Sequence, residues 1–303
     1  MAEIDLDDPS QRLKPICLIK QMLSYDVSNV DGTMSPTDTM AGPNYIWVGA
    51  SAVEAIIPAI YSSRLTEVKT VLDMPCGHGR VLRHLKALFP EARIDACDID
   101  KEGVEFCENT FGARPIISQE NLTAVDFDTK YDLIWIGSLF THTSREITEK
   151  WLAHLSRYLT DNGIIVATFH GRISTKMQYH TPYIDDARWK IIMDGYLRTG
   201  YGYADYQVGQ GHDFIEGSYG LSVTKASEML ELVSRIKGVR VHHYQERGWA
   251  NNHDVIAFGP PDWDDSFWPV EDPKLLSEPV EPPPPPKRFR ERLAEAFRVL
   301  RVG

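Results

Sequence analysis

The chain has 303 residues, 43% of them hydrophobic, and a formal charge of −11. That length can bury a sizeable core in one large domain or two, and the negative balance argues against a general nucleic-acid binder, whose phosphate contacts demand clustered cations. The acidic start MAEIDLDDPS carries no basic or apolar export region, and no uninterrupted apolar run reaches the roughly 20 residues that span a bilayer. The four cysteines, Cys17, Cys76, Cys97 and Cys107, show no CxxC pairing. A cytoplasmic protein with reduced thiols is therefore expected.

Residues 1–44 read as an N-terminal extension ahead of GPNYIWVG and an apolar helix through Val53, Ile56 and Ile57. The first chemical signal is VLDMPCGHGRVLRHL, residues 71–85. Val68, Thr70, Val71 and Leu72 are apolar or β-branched, while Val81, Leu82, Leu85, Leu88 and Phe89 recur at helical spacing, so the stretch predicts strand, glycine turn and helix. Glycine lets the backbone approach a ligand without a Cβ clash, and the new helix offers unpaired N–H groups.

ARIDACDID predicts a second strand closing on Asp98 and Asp100, followed by a helix through Val104, Phe106, Cys107 and Phe111. ARPIIS, KYDLIWIGSLF and NGIIVATFH predict three more strands. Thr143 with Glu146 predicts a capping box for a helix burying Ile147, Trp151, Leu155 and Leu159. This alternation implies an α/β fold with a doubly wound, mostly parallel sheet and its ligand site at the carboxyl ends of the strands. VRVHHYQERGW and HDVIAFG, joined at Asn251 and Asn252, predict an antiparallel C-terminal hairpin at the sheet edge.

Between His170 and the helix of Ser227 to Ile236 lie more residues than a crossover needs. The excess, 173–222, is read as a substrate-side insertion in which Tyr196, Tyr201, Tyr203, Tyr206 and Tyr219 alternate with glycine, a composition suited to a lid over an acceptor. Beyond residue 265, five consecutive prolines make 266–286 a stiff linker. Residues 287–303, with six Lys or Arg against two Glu, predict a basic amphipathic helix with Phe289, Leu293, Phe297 and Leu300 on one face. Its candidate partners are an anionic membrane surface, a protein, or the chain's own acidic body.

A dinucleotide-binding turn would continue as GxGxxG, but Leu82 stands where the third glycine belongs. The ordered set of Asp73-xxx-Gly77-x-Gly79, Asp98 at the end of the next strand, YDLIWIGSLFTH and the closing hairpin resembles the class I S-adenosylmethionine-dependent methyltransferases over about residues 45–260, within a domain read as 45–265. The resemblance implies a seven-stranded Rossmann-like sheet and S-adenosylmethionine as cofactor. It implies that Asp98 accepts the two ribose hydroxyls and that Gly77 and Gly79 pass under the methionine part. Asp73 would anchor the turn near the ammonium group, with Cys76 and Ile99 completing the contacts. Gln119 and Glu120 fall where the family reads the adenine, although Ser118 stands where an acid is common. Gly137 and Ser138 would floor the site, and Tyr45 would cover it.

Methyl transfer needs an acceptor held in line and sometimes a base. The candidates are His170, in TFHGR, and His142, with Arg172, Tyr203 and Tyr206 as acceptor contacts and His253 as a structural residue. The fourth strand lacks the Asn-Pro-Pro-Tyr type signature of the nucleic-acid amino-methyltransferases. PCGHGRVLRHL, GSLFTH and TFHGR look like bacterial methyltransferases that travel with glycan-assembly enzymes, so the resemblance implies methylation at oxygen on a small molecule or glycan. The alternatives are another transferase of the same fold, such as an aminopropyl transferase, and a non-catalytic scaffold acting through its tail. Asp185 and Asp186 find no matching third ligand, and no metal is predicted.

Overall fold

A computed structural model describes residues 22–38, 40–63, 65–207 and 219–261. Helix α1 (Pro43–Ser62) starts with proline at its first turn, where the missing N–H is no loss, and buries Tyr45, Val48, Ala52, Ile56 and Ile60. By length and composition it could cross a membrane, yet 56% of that window is buried inside the protein. Its apolar face packs in one core with Leu133, Trp135, Val166 and Trp249, and the Trp249 indole N–H donates to the Val48 carbonyl at 3.0 Å.

The chain then alternates: β1 (Thr70–Met74), α2 (Leu82–Leu88), β2 (Arg93–Asp98), α3 (Lys101–Phe111), β3 (Arg114–Ile117), β4 (Tyr131–Ile136), α4 (Arg145–Ser156) and β5 (Leu159–His170). The insertion supplies α5 (Arg172–His180), α6 (Asp186–Thr199), β6 (Tyr201–Asp205) and β7 (Gly220–Thr224), and α7 (Ala226–Ser234), β8 (Arg240–Trp249) and β9 (His253–Gly259) follow. The seven-stranded sheet runs β3-β2-β1-β4-β5-β9-β8. Its first five strands are parallel, and β9 is antiparallel to both β5 and β8. This is the mostly parallel sheet with an antiparallel hairpin that the alternation implied, and its seven strands match the resemblance. Reversal at β9 lies one strand in from the edge, and β8 takes the edge itself.

Several local expectations are overturned. Helix α4 is capped by Ser144, whose hydroxyl accepts from Ile147 N, and Thr143 instead pairs with the Thr148 hydroxyl. Leu152 and Leu155 carry the burial. Leu159 belongs to β5, and Ile147 and Trp151 line a cavity. The boundary at residue 45 falls inside α1. Residues 22–38 are a strap bound to the glycine turn and α2: Arg80 pairs with Asp38 at 2.8 Å, the Thr37 hydroxyl meets His78 Nε2 at 2.9 Å, and Arg83 donates to the Gly32 and Thr33 carbonyls.

The described part of the insertion is built from helices and a β6–β7 ribbon. Gly202 allows β6 to close on α6, since a Cβ there would lie 1.9 Å from the Ile192 carbonyl oxygen. Close packing explains that glycine better than mobility does. Asp185 caps α6 by accepting from Ala187 N and Arg188 N. The proline-rich linker 266–286 and the basic tail 287–303 lie outside the described residues.

Candidate functional site

The turn between β1 and α2 lies at the carboxyl end of the sheet. Gly77 and Gly79 both have positive φ, +47° and +74°, which side chains rarely adopt. The two glycines differ in what lies beside them. A Cβ on Gly77 would meet open space, whereas one on Gly79 would lie 2.4 Å from the Phe111 ring. Gly79 thus lets the turn pack closely on α3. Cys76 is a small core residue, its amide donating to the Cys97 carbonyl and its thiol facing the Gly77 carbonyl beside Cys107.

Two carboxylates flank this turn. Asp98 Oδ2 accepts from Gly77 N at 2.7 Å and Oδ1 from Asp100 N at 3.0 Å, so the acid that ends β2 shapes the turn it faces. Asp73 is 1% exposed, and neither of its oxygens has a hydrogen-bond partner among the described residues. Burial, and then the Asp98 charge, push the Asp73 carboxyl well above the ordinary range; burial also raises Asp98. An unpartnered enclosed carboxylate is costly, which marks Asp73 as a group that a cation would complete.

Beside Asp98 opens a cavity of about 390 Å³. Of the residues singled out from sequence, Asp98, Ile99, Gln119 and Glu120 line it, together with Ser118. Sequence reasoning missed Leu139, Trp151 and Tyr219 in its wall. Trp151 is half-buried against the core, as its helical spacing implies, and also faces the cavity. Tyr219 carried no signal beyond its composition.

Other expected contacts are placed elsewhere. Tyr45 has no exposed surface; its hydroxyl donates to the His78 carbonyl at 2.8 Å and the Arg83 guanidinium lies 4.7 Å from its ring centre. It braces the turn from behind, and burial raises its hydroxyl to about 12. Gly137 fits against Trp135 and Trp249. Ser138, with φ +62°, donates its N–H to the Thr168 hydroxyl at 2.8 Å. Arg172 is committed to Glu246 at 2.9 Å on an exposed face, and the Tyr203 hydroxyl donates to Asp205 at 2.6 Å.

What the tertiary structure does assemble is a chamber of imidazoles and phenols. His142, in the turn after β4, has Nδ1 2.9 Å from the Gly220 carbonyl oxygen and stacks on Tyr219 with centroids 4.8 Å apart. Tyr206 adds its hydroxyl to the same nitrogen at 3.2 Å. His170, at the end of β5, has Nδ1 3.2 Å from the Ser222 carbonyl oxygen and stacks on Tyr183 at 5.1 Å. His253 stands edge-on to His170 at 4.8 Å, its Nδ1 3.3 Å from the Thr168 hydroxyl. The β5–β9 register pairs His170 directly with His253, which makes His253 part of the cluster. Burial keeps both neutral, lowering His170 well below its usual value and His253 to about 3. Tyr219 belongs to this chamber and to the cavity wall, so the two are contiguous.

Residues 72–165 match the family model of a methyltransferase domain. The chain is 27% identical over 111 residues to a malonyl-[acyl-carrier protein] O-methyltransferase of Halalkalibacterium halodurans, covering 35% of this chain and 40% of that protein. It is 26% identical over 117 residues to an uncharacterised protein of Rickettsia prowazekii, covering 37% and 47%. The chain thus spans less than half the length of the curated relatives it matches. A solved S-adenosylmethionine-dependent methyltransferase from Clostridium acetobutylicum overlaps 73% of this chain and 93% of its own, with a TM-score of 0.47 and 14% identity. The family model covers residues 72–165, and the strand order and the glycine turn with its two acids agree with the class I S-adenosylmethionine-dependent methyltransferase fold that the sequence resembles.

Proposed function

We propose that this protein transfers the methyl group of S-adenosylmethionine to a hydroxyl oxygen of a small-molecule or glycan acceptor. The observation that carries the reading is the contiguity of the two halves of the site: an unpartnered acid and a cavity on one side of Tyr219, and neutral histidines on the other. The residues present fit the cofactor. Asp73 would hold its ammonium group, Asp98 its ribose hydroxyls, and Gln119, Glu120 and Leu139 its adenine, with Gly77 leaving room along the turn.

When bound, the cofactor supplies an electrophilic methyl group. The chain's own residues hold the acceptor, exclude water and accept the hydroxyl proton. His170 is the base in this reading, because its Nδ1 faces a carbonyl that can only accept, which leaves Nε2 as the proton acceptor. His142 flanks it and Tyr206 lines the approach. A saccharide, free or lipid-linked, is the acceptor suggested by sequence resemblance. A cytoplasmic setting suits the free thiols of Cys76, Cys97 and Cys107.

Calorimetry with S-adenosylhomocysteine, followed by a labelled-methyl screen over sugars, phenols and amines, tests the proposal. Micromolar binding and label in an oxygen-linked product are expected. No binding, or label only in amines, would refute it.

A further inference from the structure

Resting on the methyl-transfer reading, we infer that the chamber selects an uncharged hydroxyl and rejects carboxylate acceptors, with the β7 backbone setting this choice by fixing the imidazole of His170. A carbonyl oxygen has no proton to give. The Ser222 carbonyl at 3.2 Å therefore demands that His170 carry its proton on Nδ1, and a neutral ring then presents a bare Nε2. That nitrogen makes no hydrogen bond among the described residues, while the side chain keeps only 4% of its surface open.

A hydroxyl entering this chamber donates a hydrogen bond to Nε2. A carboxylate brings only acceptor atoms and a negative charge, so it meets Nε2 lone pair to lone pair. Among the described residues no cation faces His170 to offset that charge. The rings that face one another are His142, His170, His253, Tyr183, Tyr206 and Tyr219, and Arg172, two residues beyond His170, pairs with Glu246 on the exposed side.

Charging His170 to receive an anion is opposed from each packed element. His142 from the turn after β4 and His253 from β9 both disfavour a second positive charge, and burial adds to them. Tyr183, from the turn between α5 and α6, stacks on the ring, and β7 contributes the Ser222 carbonyl. Asp254, next to His253, is occupied by the Tyr244 hydroxyl at 2.8 Å and Arg247 N at 3.0 Å.

The test is nitrogen-15 NMR of the histidines in the full chain, with and without S-adenosylhomocysteine, using His170→Gln to assign the signals. Expected is a neutral His170 with protonated Nδ1 and bare Nε2 from pH 5 to 8. Phenol should perturb the Nε2 signal at a concentration at least about ten-fold lower than benzoate, the factor that a lost hydrogen bond of about 1.4 kcal/mol implies. A proton on Nε2, titration above pH 6, or benzoate acting at the lower concentration would overturn the inference. Failure to bind S-adenosylhomocysteine would instead strike the methyltransferase reading, and leaves the tautomer result standing.

Discussion

His142 and His170 stand edge to face, their ring centroids 6.4 Å apart at 76°, and each is held at Nδ1 by a carbonyl of β7, Gly220 for the first and Ser222 for the second. One short strand from the insertion therefore orients two side chains that come from different strand ends. Its own N–H groups at Gly220 and Ser222 donate to the His142 and Thr141 carbonyls, which locks the strand to the turn carrying His142. Base and specificity device are parts of one ladder.

The first expectation concerns His170. His170→Ala should lower methyl transfer by about 10²-fold or more, the range of a lost general base, and leave affinity for S-adenosylhomocysteine within about two-fold. Steady-state kinetics and calorimetry on the same preparation check it. Unchanged turnover at saturating acceptor would make His170 a packing residue.

Asp98→Ala should weaken S-adenosylhomocysteine binding by more than about ten-fold, since two ribose hydroxyls lose an ionised acceptor and the Gly77 amide loses its tether. Asp98→Asn, which keeps one oxygen for Gly77 N, should fall between the two. Equal affinities across the series would remove Asp98 from the cofactor site.

For Asp73 the sign can be worked out. Its carboxyl is raised in the folded protein, so the stability it contributes is fully present below the unfolded value of 3.8 and is lost as pH rises through the folded value. Asp73→Asn should therefore raise the melting temperature of the ligand-free protein at pH 7 by about 2–8 °C and also weaken binding of the ammonium-bearing S-adenosylhomocysteine. Thermal scans with and without ligand report both effects. A less stable Asn variant would show that Asp73 is not the strained group.

His253 behaves in the opposite direction. Its folded value is lowered from 6.5 to about 3, so its contribution is complete above pH 6.5 and declines as pH falls toward 3. Denaturant unfolding between pH 7 and 4 should show stability falling with pH, and His253→Gln should flatten that slope. An unaltered slope would assign the acid sensitivity elsewhere.

Gly79→Val should cost about 2–4 kcal/mol of stability, because a side chain at φ +74° is strained and its Cβ collides with Phe111. The loss should appear in the melting temperature before it appears in ligand affinity. A crystal structure of the variant with Phe111 unmoved would contradict this.

The strand–turn–helix of VLDMPCGHGRVLRHL, the acid ending β2 and the closing hairpin were legible in the sequence, because apolar periodicity and positive-φ glycines are local properties. Asp73, Gly77 and Asp98 stand out through the family resemblance, which rests on the order of these motifs along the chain. The chamber was not legible. His253 joins His170 only through the β5–β9 register, and the Gly220 and Ser222 carbonyls reach the histidines only after β7 crosses back over the strand ends. Tyr45 is expected from sequence to cover the ligand, but tertiary packing buries it against the Arg83 guanidinium, and the close approach of Gly79 to the Phe111 ring is likewise set by packing. Sequence alone determined which backbone turns could form, since a turn depends on the residues within it. Only the tertiary structure decided which side chains share a chamber, since that depends on strand register and close packing between residues far apart in the chain.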